Sequence, residues 1–127
     1  VDYLLAFEQL EVLRYLHFLR ADSTLIINTQ TLAPPSVLSG QELYPENIPE
    51  KIKARFPQTY LVDGLREEPV KTNKRVLNVF LIGILACMLP FSRESWEKAL
   101  EINIPPKFLA INKDAFTAGY DWGLKTK

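Results

Sequence analysis

The sequence has few of the residues with which small proteins build reactive centres. Its 127 residues include one cysteine, Cys87, and one histidine, His17. A single cysteine excludes an intramolecular disulfide and a thiolate metal cluster within the chain. His17 has no serine or cysteine nucleophile in an elbow-like setting, and Cys87 lies in an apolar run, so we interpret both as structural or surface residues. We therefore predict no catalytic residue and no metal ligand.

The glycines and the charged residues also lack the patterns that mark common ligand sites. The five glycines do not form a glycine-rich phosphate loop. Fifteen basic residues balance fifteen acidic ones, which disfavours nucleic-acid binding. No segment resembles a targeting peptide, and the longest apolar run falls short of the ~20 residues that span a bilayer. These features predict a cytoplasmic protein without nucleic-acid or membrane partners.

The longest apolar run, VLNVFLIGILACMLPF at Val76–Phe91, predicts a helix buried on most sides. It is interrupted by Asn78 and Gly83, and Pro90 closes it. Gly83 is expected to permit close approach of another helix. A helix that is apolar all round needs a sheet and further helices to cover it.

Upstream of this helix the pattern predicts a βαβ unit. Val1–Ala6 is a predicted buried strand, Phe7–Leu19 a helix and Thr24–Asn28 a second strand. Such a unit implies parallel strands and a right-handed crossover. Within the helix, one set of apolar residues is expected to face packing partners: Leu10, Val12, Leu13, Tyr15, Leu16, Phe18 and Leu19.

Downstream, a proline-rich loop at Thr29–Pro49 leaves the carboxyl end of the second strand, where open α/β sheets place ligands or partners. The remaining elements are a short helix at Ile48–Phe56, a strand at Gln58–Asp63, a helix after Ser92 as N-cap, and a last helix from Pro106 to about Trp122. Asn73 is a possible cap for the central helix.

The chain opens directly on an apparently central strand without a methionine. We therefore expect Val1 to be the first residue of a piece of a longer polypeptide, with the domain incomplete at its N-terminus. Missing strands would expose a sheet edge, so we also predict self-association into an oligomer.

Five polar residues are weak candidates for ligand contact: Glu8, Asn28, Thr29, Asn78 and Asn112. Glu8, near the end of the first strand, either pairs with Glu11 or belongs to a solvated face with Glu11 and Arg14. Asn78 and Asn112 lie on apolar helices, where a buried unpaired amide costs about 1–3 kcal/mol. Structural tethering is therefore the favoured reading of both amides, with ligand contact as the alternative.

Four stretches resemble the gamma-type domain of the 2-oxoacid:ferredoxin oxidoreductases, and most closely the beta subunit of indolepyruvate:ferredoxin oxidoreductase. They are VDYLLAFEQLEVLRYL (1–16), TLIINTQTLAPPSV (24–37), NVFLIGILA (78–86) and IPPKFLAINKDAFTAGYD (104–121). The resemblance implies a three-layer α/β/α Rossmann-like fold with a mainly parallel sheet, and one partial gamma-type domain over residues 1–127. The family's glycine-rich G-x-G-G-Q-G segment is absent.

The resemblance also implies a function. The complex would oxidatively decarboxylate aryl pyruvates to acyl-CoA while reducing ferredoxin, using thiamine diphosphate, magnesium, iron–sulfur clusters and coenzyme A. This chain would bind none of those cofactors, and would dock the catalytic thiamine and iron–sulfur subunit and line the approach of CoA. The Asn28–Val37 loop, beginning with Asn28 and Thr29, is the expected partner- or ligand-facing surface. The alternatives are a free-standing Rossmann-like module for CoA or a nucleotide, and a structural interaction domain.

Overall fold

The computed structural model describes residues 1–29 and 47–127. These residues form two compact units, Val1–Val62 and Asp63–Lys127. The first unit contains the strands and the second contains helices. The predicted α/β class is confirmed, since the strands form a parallel sheet.

The sheet of the first unit has three strands in the order β1-β2-β3. They are β1 (Tyr3–Ala6), β2 (Thr24–Asn28) and β3 (Thr59–Val62). Both pairings are parallel, with Ala6 opposite Ile27 and Asn28 opposite Val62. Among the described residues β2 is therefore the central strand. The prediction that β1 is a central strand of a longer domain stays a prediction; within the described residues β1 pairs with β2, Tyr3 is exposed, and Leu4 and Leu5 are half-buried.

The segment between β1 and β2 is a 3₁₀ helix, Gln9–Phe18, and not the α-helix that a conventional apolar stripe implies. Its first turn is fixed by the Glu8 carboxylate, which accepts a hydrogen bond from the Leu10 N–H at 2.9 Å. The buried residues of this helix are Gln9 and Val12, three positions apart.

Several side chains of this helix lie elsewhere than the sequence predicts. Leu13, Tyr15 and Phe18 are exposed, so the prediction that they pack against other elements is wrong within the described part of the chain. Glu8 is buried and does not share the solvated face of Glu11 and Arg14, which form an ion pair at 3.4 Å.

The core of the first unit lies between the sheet, the 3₁₀ helix and α1 (Ile48–Arg55). Alternate residues of β2, Leu25 and Ile27, point into this core, as the two-residue repeat of a strand requires. From α1 the buried side chains are Ile48 and Ile52, one helical turn apart. Pro49 occupies the first turn, where its missing N–H costs no hydrogen bond.

Three α-helices dominate the second unit: α2 (Leu77–Met88), α3 (Arg93–Asn103) and α4 (Pro106–Thr126). A short 3₁₀ turn, Lys74–Val76, precedes α2, and Asn73 caps it by accepting the Arg75 N–H at 3.2 Å. Ser92 caps α3 through the Ser95 N–H, as predicted. The helix α2 is buried on most sides, which confirms the interpretation of the apolar run.

The α2–α4 contact depends on three glycines. A Cβ at Gly119 would collide with the backbone carbonyl of Phe80, and one at Gly83 with that of Phe116. A Cβ at Gly123 would meet the Cys87 sulfur. The contacts advance along both helices together, so α2 and α4 run in the same direction. The predicted role of Gly83 is confirmed by this close approach.

Candidate functional site

The structure places the first group of candidate residues at the carboxyl end of the sheet. Ala6 and Ile27 are opposite each other at the ends of β1 and β2, so Glu8, Asn28 and Thr29 follow at the same edge. Open parallel sheets bind ligands at this edge. The strand register therefore brings these three residues to the same end of the sheet.

Asn28 has an internal role at this edge. Its side chain is 0% exposed, and its Nδ2 donates a hydrogen bond to the Phe7 carbonyl at 3.2 Å. The amide thus joins the end of β2 to the chain leaving β1. A buried amide in this position stabilises the strand ends and is not accessible to a ligand. The loop predicted as a partner surface continues into residues 30–37, which lie outside the described residues.

Glu8 and Thr29 also contact the protein itself. The Glu8 carboxylate caps the 3₁₀ helix, and Thr29 donates its backbone N–H to the Val62 carbonyl at 2.8 Å. Thr29 remains half-exposed. Of the three residues at this edge, Thr29 is the one whose side chain is partly exposed, so it could contact a bound molecule.

The second group, Asn78 and Asn112, lies in the second unit on a cleft of about 520 Å³. We call it the Asn78–Asn112 cleft. It is lined by Asn73, Arg75, Val76, Asn78, Val79, Ile104, Pro105, Phe108, Ile111 and Asn112. The expectation of a buried amide fails at Asn78, which is exposed because it sits in the first turn of α2 on the side open to the cleft.

Each of these asparagines uses one polar atom of its side chain in a hydrogen bond to the backbone. The Oδ1 of Asn78 accepts the Val79 N–H at 2.9 Å, and the Nδ2 of Asn112 donates to the Phe108 carbonyl at 2.9 Å. Tethering, the favoured reading, is what these bonds provide. The other polar atom of each amide, Nδ2 of Asn78 and Oδ1 of Asn112, remains a candidate for ligand contact.

Arg75 is the cleft residue that sequence reasoning missed. It is the one charged side chain among the ten residues that line the cleft. In the sequence it stands in an ordinary run, KTNKRV, directly before the apolar helix. Arg75 lies two residues after the capping Asn73 and therefore at the start of α2. This spacing is the sequence feature that could have indicated it.

The two residues with conventional catalytic chemistry do not contribute to either group. His17 is exposed, and its ring centroid lies 4.1 Å from that of Phe18. Cys87 is buried within α2. Burial raises the pKa of the Cys87 thiol, and the nearby Lys127 ammonium opposes that shift only in part.

This environment predicts an unreactive thiol. Native chain should react with a disulfide reagent such as Ellman's reagent at pH 8 at least about tenfold more slowly than urea-unfolded chain, because the thiol is both buried and protonated. A stopped-flow measurement of thionitrobenzoate release gives both rates. Equal rates would show that the thiol is accessible in the folded protein.

Metal and cluster chemistry does not fit the donor set. In residues 1–29 and 47–127, no three His, Cys, Asp or Glu side chains are grouped so that they could hold a metal ion. The chain's one cysteine also falls short of the several thiolates that iron–sulfur clusters require. None of the helices in this part of the chain has the length and hydropathy needed to cross a membrane.

Comparison with known proteins identifies the family. A profile described as "Pyruvate ferredoxin/flavodoxin oxidoreductase" matches residues 1–122. This chain belongs to that family. The predicted resemblance is thereby confirmed.

Its relatives include two archaeal proteins named "Indolepyruvate oxidoreductase subunit IorB". The one from Archaeoglobus fulgidus is 30% identical over 124 residues, which cover 94% of this chain and 62% of that protein. The one from Pyrococcus horikoshii is 29% identical over 123 residues, covering 93% and 61%. The chain thus spans somewhat more than half the length of these relatives.

One solved structure supports the fold. The gamma subunit of a keto/oxoacid ferredoxin oxidoreductase from Geobacter sulfurreducens superimposes with a TM-score of 0.68 at 24% identity. The match covers 98% of this chain and 65% of that subunit. At this identity the similarity establishes the α/β fold of the gamma-subunit type.

Proposed function

We propose that this chain is part of a subunit of a 2-oxoacid:ferredoxin oxidoreductase that acts on aryl pyruvates such as indolepyruvate. The observation that carries the proposal is the family match over residues 1–122, together with relatives named as indolepyruvate oxidoreductase subunits. In the proposed reaction, the 2-oxoacid is decarboxylated and oxidised to the acyl-CoA, and ferredoxin receives the electrons. Residues 1–127 would form a single, partial gamma-type domain.

The chain's own role in that complex is proposed to be assembly. Its donor set does not fit an iron–sulfur cluster. Thiamine diphosphate, magnesium and the clusters would therefore reside on a partner subunit, in the cytoplasm. The 3₁₀ helix supports a docking role, because it exposes the large apolar side chains Leu13, Tyr15 and Phe18.

We further propose that CoA approaches the complex along the carboxyl end of the sheet. Thr29 tests this better than Asn28, because Asn28 is buried and its replacement would act through folding. In the assembled complex, Thr29→Arg should raise the KM for CoA or weaken subunit association at least fivefold, since a long side chain would occupy the half-exposed position. Steady-state ferredoxin reduction with indolepyruvate and varied CoA measures the first effect.

Thr24→Arg is the matched control. Thr24 is half-exposed at the opposite end of the same strand, where its Oγ1 donates to Gln58 Oε1 at 2.9 Å. The same substitution there should leave the KM for CoA and subunit association within twofold of the unmodified complex. Equal behaviour of the two variants would contradict a role for the carboxyl end of the sheet.

The second candidate is a free-standing module that binds CoA or a nucleotide. Its support is the volume of the Asn78–Asn112 cleft alone, since clefts of roughly 300–1,000 Å³ are typical of small-molecule sites, whereas the one cation of the lining, Arg75, does not favour a polyphosphate there. Calorimetric titration of the full-length chain alone with CoA separates the candidates. Saturable binding without a partner subunit supports the module, whereas binding only in the complex supports the oxidoreductase subunit.

A further inference from the structure

We propose that the Asn78–Asn112 cleft binds a small monocarboxylate with an aryl or alkyl body. This inference rests on the cleft's own residues and is independent of the assembly role proposed above. Either proposal can fail while the other holds. The argument has three parts: the apolar lining, the identity of the polar atoms and the single charge.

The lining provides space and an apolar surface for the body of a ligand. The volume of about 520 Å³ exceeds what one side chain would fill. Six of the ten lining residues are apolar: Val76, Val79, Ile104, Pro105, Phe108 and Ile111. Phe108 is 46% exposed, so its ring is available to pack against an aromatic or aliphatic group.

The polar atoms at the start of α2 are hydrogen-bond donors. The oxygens of Asn73 and Asn78 already accept the backbone N–H groups of Arg75 and Val79. These bonds fix the orientation of each amide, and the NH₂ groups remain for a ligand. The Arg75 guanidinium adds further donors. A group that offers two acceptor oxygens, such as a carboxylate, complements this set.

The charge of the cleft selects for one negative charge. Arg75 is the one ionised residue in the lining, and it forms no ion pair within the described part of the chain. The neighbouring cation Lys107 lies over the Phe108 ring, 4.9 Å from its centroid, outside the lining. A diphosphate or polyphosphate would bring several charges against one guanidinium. A monocarboxylate carries one negative charge, which the single Arg75 guanidinium can balance.

Calorimetric titration of the full chain with 3-phenylpropionate tests the proposal, with 3-phenylpropanamide as the neutral isostere. The acid should bind saturably and at least about fivefold more tightly than the amide, because only the acid forms a charged pair with Arg75. Arg75→Gln should weaken acid binding at least about fivefold and abolish the difference between acid and amide. Phe108→Ala should weaken both ligands.

Lys74→Gln is the matched control, since Lys74 is the adjacent exposed cation and does not line the cleft. It should change acid affinity by less than about twofold. The proposal is overturned by absence of saturable binding up to about 10 mM acid, by equal affinities for acid and amide, or by equal effects of Arg75→Gln and Lys74→Gln. Tighter binding of CoA than of the acid would also overturn it, in favour of a polyanion site.

Discussion

Replacing Gly119 with alanine is expected to lower the free energy of unfolding by about 3 kcal/mol, although alanine is the better helix former. The added Cβ would collide with the Phe80 carbonyl oxygen and approach the Ile84 backbone nitrogen to 3.2 Å. Both are backbone atoms of α2, so neither can move aside by changing rotamer. The two helices would have to separate, and the packing of Phe80 and Phe116 between them would loosen. Urea denaturation should show a lower midpoint at an unchanged m-value.

A control on the same helix separates this collision from helix propensity. Ala110 is exposed on α4, and Ala110→Gly introduces the residue that Gly119→Ala removes. It should cost only about 1 kcal/mol, the intrinsic difference between the two residues in a helix. If Gly119→Ala instead raised stability, α2 and α4 would not approach as closely as described.

Asn28→Asp is expected to have the second large effect, a loss of about 3 kcal/mol at pH 7. The side chain is fully buried and its Nδ2 donates to the Phe7 carbonyl. An ionised carboxylate has no donor and would place its charge against that carbonyl oxygen. Burial without a cation raises the pKa of such a carboxyl group above its ordinary value of about 3.9.

The pH dependence follows from the direction of that shift. The neutral acid can still donate to the Phe7 carbonyl, so the variant should be closest to the unmodified chain near pH 4. Its stability should then fall as the pH rises through the raised pKa of the folded state, because the folded state binds the proton more tightly than the unfolded state. Urea unfolding between pH 4 and pH 8 measures the trend.

Asn78→Asp is the matched control for this variant. Asn78 is exposed, and its Oδ1 accepts a hydrogen bond that a carboxylate would keep. A negative charge in the first turn of α2 is also favourable by about 0.3–1 kcal/mol. This variant should therefore be as stable as the unmodified chain or slightly more stable at pH 7. An equal loss of stability in both variants would contradict the buried tether at Asn28.

Several elements follow from the sequence because local and global signals agree. The strand Thr24–Asn28 is found at its predicted bounds, since its apolar residues are buried on both sides of the sheet. The central helix ends at Met88, two residues before Pro90, which cannot continue a helix. The start of α3 is set by the Ser92 cap, and that of α4 by Pro106 in its first turn.

The differences arise where hydrogen bonds or distant packing decide. The Glu8 carboxylate caps the 3₁₀ helix at Gln9–Phe18, and an apolar stripe does not distinguish this helix type from an α-helix. Asn28 reads as the start of a loop, yet the strand register buries it. The Asn78–Asn112 cleft joins segments separated by about 30 residues, so no local pattern reveals it.

The most direct test of the proposed function is an anaerobic pull-down of the tagged full-length protein from extract of its own cells, with the co-purifying chains identified by mass spectrometry. The oxidoreductase-subunit proposal predicts recovery of a large chain that carries thiamine diphosphate and iron–sulfur clusters. That complex should reduce ferredoxin when supplied with indolepyruvate and CoA. Recovery of the tagged protein without any co-purifying chain would contradict the proposal.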